Sequence, residues 1–461
     1  MTVTEGVTVT VGERVVATVA PGFLGLHYDG PEHQAWDPVR QRPLSLAGAY
    51  GSPAARASLH GIGVGCARIF VDVPGVHPDA GTFNWERTDT AVGEVAESGM
   101  DVMLCLHQGG PEWLGGSSER PWWELDEGRA AWRAAVAACA ARYRGKVRYY
   151  EILNEPNLIK DGEAGFMGWE RSVDLYLSAA EAIKQAEPGA LCGGAATWAG
   201  WESGAWAARV LARPGGEALL DFVSYHIYTS HNLDDADAAI LSKVGWFEQA
   251  PRHIRAELAG LTDKRVQIVL TEFNTSAVFS KDGKPYTDPR DVNVFGGLVS
   301  ALALLHSATG GCDMAMHYST SGGFGLLVWP PLYDRQPAYY AVALLREAAG
   351  FAPGAELLDV ETSEPPKAAP HCVKGESETY DLQPFAVRSA SGTAVVLINK
   401  QRDAAVAAQI RFTGENASSE AQVYVYSAMR VADAVYPASA VTAVGGVFEV
   451  ECAPYSITVV K

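Results

Sequence analysis

Between residues 21 and 350 the sequence alternates eight short apolar runs with helical patterns, and this alternation limits the fold more than any other feature. The runs cover residues 22–27, 65–70, 102–107, 147–155, 191–195, 222–228, 266–272 and 313–318. Short, strongly apolar stretches bounded by turn residues read as strands buried on both faces. Between them, Trp169, Val173, Tyr176, Ala180 and Ile183 recur at steps of three and four, one face of a helix that Pro188 stops. Residues 130–144 are Ala-rich and helical, and 88–98 closes at Gly99, a natural helix stop. Eight βα units in a segment of this length predict an α/β fold, a (β/α)₈ TIM barrel over 21–350. A doubly wound open sheet would use the same alternation, but no GxGxxG follows the first run.

The pattern changes after residue 350. Alternating strands at 380–387, 393–399, 405–412, 421–426, 447–452 and 456–460 predict an accessory β-sandwich over 351–461. Residues 1–20 also read as strands and are expected to join that module. The Pro-, Glu- and Ser-rich segment 354–378 reads as a surface loop or linker.

The 461 residues are enough for such a barrel plus a second module. A formal charge of −18 disfavours nucleic acid and anionic membrane as partners, which need a basic face. Seven cysteines, with no CxxC and no metal-ligand spacing, read as buried thiols, and no metal site or cofactor is expected. No basic-then-apolar leader and no long apolar run is visible, so the expectation is a cytoplasmic protein without a membrane span. Twelve Trp and eighteen Tyr fit either core filling or a groove that stacks flat rings.

In a parallel barrel, reacting groups stand at the C-terminal strand ends. The third run ends in His107, the fourth in Asn154-Glu155 and the seventh in Glu272. The sixth carries His226 and Tyr228, and the eighth His317 and Tyr318. Two glutamates on different strands, each with an Asn close by (Asn154, Asn274), suit glycosidic bond cleavage. One carboxyl protonates the leaving oxygen and needs a raised pKa; the other meets the anomeric centre as a carboxylate. No GxSxG elbow and no HExxH helix competes with this chemistry.

"YEILNEPN" (150–157) resembles the strand-four signature of clan A retaining glycoside hydrolases, and "VLTEFNTS" (269–276) resembles their strand seven. The chain looks most like glycoside hydrolase family 39, which holds β-xylosidases and iduronidases. "GTFNWERTDTAVGEVAESGMDVMLCL" and "GLLVWPPLYDRQPAYYAVALL" extend the likeness over roughly residues 20–350. The resemblance implies that Glu155 is the acid/base and Glu272 the nucleophile, with carboxyl groups about 5–5.5 Å apart. It implies a carbohydrate substrate, a β-xyloside first, with Asn154, His107, His226, Tyr228, His27 and Trp329 as sugar contacts. Tyr228 and Arg68 would hold Glu272 ionised and aimed. One departure stands out: the family usually has an aromatic residue, often Trp, at the end of strand eight, where this chain reads "MAMHYSTSGG".

Other readings stay beside these. Glu151 is expected as a buried partner of Arg68 rather than a reacting group. His27 and His317 fit sugar contacts or core histidines equally. Trp113, Trp122 and Trp123, and likewise Trp198, Trp201 and Trp206, fit sugar platforms or loop packing. A carbohydrate-binding barrel without turnover would lack one of the two glutamates, and both are here. A transglycosylase would share every catalytic residue.

Overall fold

The computed structural model describes residues 3–461 apart from 29–35, 38–41, 44–47, 78–80, 110–114, 118, 161–162, 164, 283, 331, 369–377 and 415–418. Eight strands close a parallel barrel: β1 (Leu24–His27), β2 (Cys66–Asp72), β3 (Asp101–His107), β4 (Tyr149–Ile152), β5 (Leu191–Trp198), β6 (Phe222–Ser230), β7 (Gln267–Ser276) and β8 (Met314–His317). Neighbours pair in chain order, and β8 pairs with β1 to close the ring. One long helix follows each strand among the described residues: α1 (Pro53–Gly61), α2 (Glu86–Glu97), α3 (Asp126–Arg142), α4 (Trp169–Ala186), α5 (Ser203–Leu211), α6 (Trp246–Leu258), α7 (Val294–Thr309) and α8 (Pro337–Glu347).

Side chains alternate across a strand, so every second residue fills the barrel. Cys66, Met103, Tyr149, Phe222, Val269, Met314 and Met316 form an apolar floor. Gly193 leaves room there, since a Cβ would come within 2.4 Å of the Phe222 ring. Two residues further along β2, β3 and β4 stand Arg68, Cys105 and Glu151, all buried. On β7 the parity breaks. Leu270 pairs with Tyr225 of β6 but Glu272 pairs with the next residue, His226. This bulge inserts one residue and turns Glu272, rather than Thr271, into the barrel.

The accessory module is one continuous nine-stranded sheet that curls over its own core, instead of two separate layers. Val9 and Ile410 on one flank share that core with Val395 and Leu397 on the other. The N-terminal strand Val3–Thr18 lies inside the sheet, antiparallel to Glu356–Thr362 and parallel to Ala405–Phe412. Two strands of this sheet escaped the sequence. Glu356–Thr362 falls in the segment expected as a loop, and Pro437–Thr442 is a short exposed edge strand whose Pro and Ser hide the β signal.

Helix α7 is apolar on every side, and a helix of that kind must be covered all round. The barrel covers one side and the sheet the other: the Tyr426 hydroxyl donates to the Val294 carbonyl (3.4 Å) and His306 meets the Phe385 ring at 4.9 Å. A Cβ on Gly297 would sit 2.1 Å from the Tyr426 hydroxyl. Gly297→Val is therefore expected to lose about 1–3 kcal/mol of stability by overpacking this joint. Denaturant unfolding measures it, and an unchanged midpoint would show that the joint yields.

Candidate active site

Arg68 stands at the centre, fully buried on β2. Its Nε donates to Glu151 (2.7 Å), one terminal nitrogen to Glu272 Oε1 (2.6 Å), and the other to Asn154 Oδ1 (2.8 Å) and Cys105 Sγ (3.3 Å). Burial works against the charge of Arg68, but the carboxylates of Glu151 and Glu272 beside it hold the guanidinium protonated. Its face lies 4.6 Å from the Phe70 ring centroid. Glu151 has the structural role expected of it.

β4 stops at Ile152, so Glu155 stands three residues beyond the strand rather than on its last position. Leu153 (φ 71°) and Glu155 (φ 49°) both adopt left-handed backbone, a strained state outside glycine. Neighbouring segments impose it. Leu153 N–H donates to the Leu106 carbonyl (3.2 Å) and Glu155 N–H to Ala196 (3.0 Å). Gln108 clamps Asn154 from both sides: its carbonyl accepts the Asn154 N–H (2.9 Å) and its amide donates to the Asn154 carbonyl (2.7 Å). Asn157 ties the loop to the end of β5, binding the backbone of Trp198 at both N–H (2.9 Å) and carbonyl (2.8 Å).

The Glu272 carboxylate is held at both oxygens, Oε1 by Arg68 and Oε2 by the Tyr228 hydroxyl (2.8 Å). Burial pushes the Tyr228 phenol well up, aided by the Glu272 charge, so it stays a donor. His226 Nδ1 lies 2.8 Å from Glu155 Oε1 and 3.6 Å from Glu272 Oε2. One oxygen of each glutamate and this nitrogen all fall within 4.8 Å of one another. The trio could hold a metal ion by that spacing, but a 2.8 Å contact between Nδ1 and Oε1 is hydrogen-bond geometry. Burial alone would raise the Glu155 pKa; the hydrogen bond and charge of His226, with Arg68 and His107, outweigh it and hold Glu155 below the ordinary value. For His226, burial lowers the pKa, but Glu272 and Glu155 carry it above the usual imidazole range. The raised carboxyl pKa expected for an acid is thus absent from the free site. A hydrogen bond between Glu155 and His226 (2.8 Å) stands in its place.

His27 stacks on Tyr318 (4.7 Å, 29°) and meets Phe70 edge-on (4.7 Å). His107 also meets Phe70 edge-on (5.8 Å), and its Nδ1 accepts the Gly109 N–H (3.0 Å), which leaves Nε2 as the protonated nitrogen. Tyr318 takes the place at the end of strand eight where the resemblance led us to expect a Trp. Trp329 packs over Gly322, whose φ of 92° brings the chain close beneath the indole, and it is partly exposed. His317 is a core histidine, its pKa pushed down to about 4 by burial. Asn274 is structural too, its amide donating to the carbonyls of Tyr318 and Phe324. Trp122 and Trp123 are buried and serve packing, not sugar stacking; Trp122 Nε1 donates to the Gln108 carbonyl (3.0 Å). Trp113 lies outside the described residues. Sequence reasoning missed Gln108, Cys105, Phe70 and Asn157. Only Asn157, inside the Asn-Glu-Pro-Asn stretch, carried a signal.

The sequence model of the cellulase family (glycosyl hydrolase family 5) matches residues 46–295. The chain belongs to this family. It is a glycosidase with a carbohydrate substrate, one of the clan A glycoside hydrolases. Solved glycosidases share the whole architecture of this family 5 member. A GH51 arabinofuranosidase from Xanthomonas axonopodis pv. citri aligns with TM-score 0.68 at 14% identity, over 99% of both chains. CelM2, a bifunctional glucanase-xylanase from a metagenome library, aligns with TM-score 0.66 at 15% identity, over 99% of this chain and 98% of its own. A GH39 β-xylosidase from Caulobacter crescentus aligns with TM-score 0.62 at 16% identity, over 98% and 99%. No curated protein matches the sequence. No described helix is long and apolar enough to cross a membrane.

Two outcomes follow from the network. Arg68→Met strands the buried Glu151 carboxylate and is expected to cost about 3–5 kcal/mol, whereas Arg68→Met with Glu151→Leu recovers much of it; urea unfolding of the two variants decides. The Glu155–His226 pair has a defined pH window. The lowered Glu155 pKa gives stability that is lost as pH falls through its folded value. The raised His226 pKa gives stability that is lost as pH rises through its folded value. The advantage of wild type over His226→Leu should thus peak between the two and shrink on both sides; a flat difference in unfolding free energy against pH would refute the pairing.

Proposed function

We propose that the protein is a retaining glycoside hydrolase, β-xylosidase-like, in which Glu272 is the nucleophile and Glu155 the acid/base. The observation that carries this is the glutamate pair, one just past β4 and one on β7, with carboxylate oxygens within 4.8 Å of each other. Retaining enzymes place their carboxyl groups about 5–5.5 Å apart, and inverting enzymes about 6.5–9.5 Å, to leave room for a water. Glu272, bonded at both oxygens to Arg68 and Tyr228, is held and aimed. It attacks the anomeric carbon while a proton passes from the Glu155–His226 pair to the departing oxygen. Glu155 then takes a proton from water, which displaces Glu272 and releases the sugar with its configuration retained.

Asn154 spends its carbonyl on Arg68, so its amide N–H₂ is the group left for the sugar hydroxyl beside the anomeric carbon. His27, Tyr318, Phe70 and His107 form the opposite wall, and we assign the glycone to it. The family 39 likeness favours a β-xyloside. Membership of the cellulase family favours a β-glucoside as the second candidate.

A panel of nitrophenyl glycosides tests this. One β-glycoside is expected to turn over, and Glu272→Gln to lower its kcat by about 10³-fold or more, roughly 4 kcal/mol of barrier. Proton NMR of the first product should show the retained anomer. Turnover that survives Glu272→Gln, or an inverted product, would overturn the assignment.

A further inference from the structure

A second concavity opens over the rim of the barrel between the ends of β5 and β6. It measures about 240 Å³ and is lined by Trp198, Trp201, His226, Ile227, His231 and Trp246, among others. His226 and Tyr228 turn into the barrel, so Ile227 between them turns out, and the pocket runs from the reacting groups outward across β6. Trp198 and His231 flank its mouth with ring centroids 5.4 Å apart. Trp201 and Trp246 meet edge-on at 6.0 Å further in.

Its position relates it to one partner of the reaction. Glu155 N–H is bonded to Ala196 on β5, and Asn157 grips the backbone of Trp198. The pocket therefore lies on the flank of Glu155, whereas His27, Phe70 and Tyr318 belong to the strands on the other side of the barrel. The group that leaves with the protonated oxygen must lie on the Glu155 flank. Its chemistry narrows the occupant. A pyranose in this place would need a polar partner for each of several hydroxyls, or the unmet groups would cost binding. Three indoles with Ile227, Ala199 and Gly200 make the apolar walls; of the polar groups, His226 and Tyr228 are bonded to Glu155 and Glu272 and the Lys243 ammonium to the Thr229 carbonyl (3.0 Å), which leaves His231 at the mouth. Apolar cavities of roughly 150 Å³ admit a benzene ring, so this one has room for a substituted aromatic ring.

Resting on the glycosidase reading above, we propose that this pocket is an aglycone subsite for a flat aromatic leaving group, making the protein an aryl glycosidase. The rings of Trp198 and Trp246 stack the aryl group while Glu155 protonates its oxygen.

The test compares 2-naphthyl and methyl glycosides of the same sugar. The ratio of their kcat/KM values cancels any general damage to the site. Trp246→Ala and the more exposed Trp198→Ala are each expected to lower the naphthyl-to-methyl ratio at least tenfold. An unchanged ratio, or a disaccharide losing as much as the naphthyl glycoside, overturns the proposal. Calorimetry with 2-naphthol alone, on wild type and Trp198→Ala, decides it without turnover. Binding that the substitution weakens supports the subsite; no binding, or equal binding, overturns it. Failure of the glycosidase reading would appear separately, as absence of turnover on every glycoside while naphthol still binds.

Discussion

The site depends on one buried cation. An unpaired charge at the depth of Arg68 would be prohibitively costly, so the guanidinium needs acceptors on every edge. It finds them on three other strands, Cys105 on β3, Glu151 on β4 and Glu272 on β7, and in Asn154 just past β4. The planar fork fixes the directions of these bonds as well as their number, which an ammonium on a flexible stem would not do. Glu151 makes this arrangement possible. Without it, the positive charge would be balanced by Glu272 alone, and the proposed nucleophile would carry the structure of the barrel as well. With Glu151 as the inner counter-ion, Glu272 stands at the outer edge of the pair, bonded but within reach of the cleft.

The loop after β4 shows the opposite economy, local strain held by distant parts. Left-handed backbone at Leu153 and Glu155 costs of order 1–3 kcal/mol each. That conformation persists because β3, β5 and the side chain of Gln108 bind its amides and carbonyls one by one. Gln108 acts as a surrogate strand, pairing both backbone polar groups of Asn154 where the barrel ladder has ended. Trp122 in turn donates to the backbone carbonyl of Gln108. Trp122 thus fixes a backbone beside Glu155 from within the core.

What the sequence disclosed and what it hid follow from the range of each interaction. Apolar runs, helix stops and the Asn-Glu-Pro-Asn stretch are local, and they revealed the barrel and both glutamates. The Arg68–Glu151 pairing was legible because a charged residue inside an apolar run has to find a partner of opposite sign. The reach of Gln108 across 46 positions left no local trace. Nor did the bulge on β7: simple alternation from Val269 would turn Thr271 inward, and only the slip against β6 brings Glu272 to Arg68. The continuous accessory sheet was hidden for a related reason. Its joining strands, Val3–Thr18 and Glu356–Thr362, lie on either side of the whole barrel in the chain, and one of them sits in a stretch whose composition resembles a loop.

A glutamate with a lowered pKa looks ill suited to protonate anything, yet the direction is consistent once the proton is counted over the trio. In the free site Glu155 and His226 meet in a 2.8 Å hydrogen bond, with the Glu272 carboxylate beside them. Among the groups that raise the His226 pKa, the charge of Glu272 is the foremost. An ester at Glu272, as proposed, would remove that charge, and the pair would then hold a proton less tightly than before. The same event that uses the proton therefore lowers the tendency to regain it from solvent. In the proposed cycle Glu155 is left ionised when water has to be activated. In that proposal a coupling takes the place of the raised pKa that a lone acid would need: the charge of Glu272 favours the proton on the pair until the ester forms.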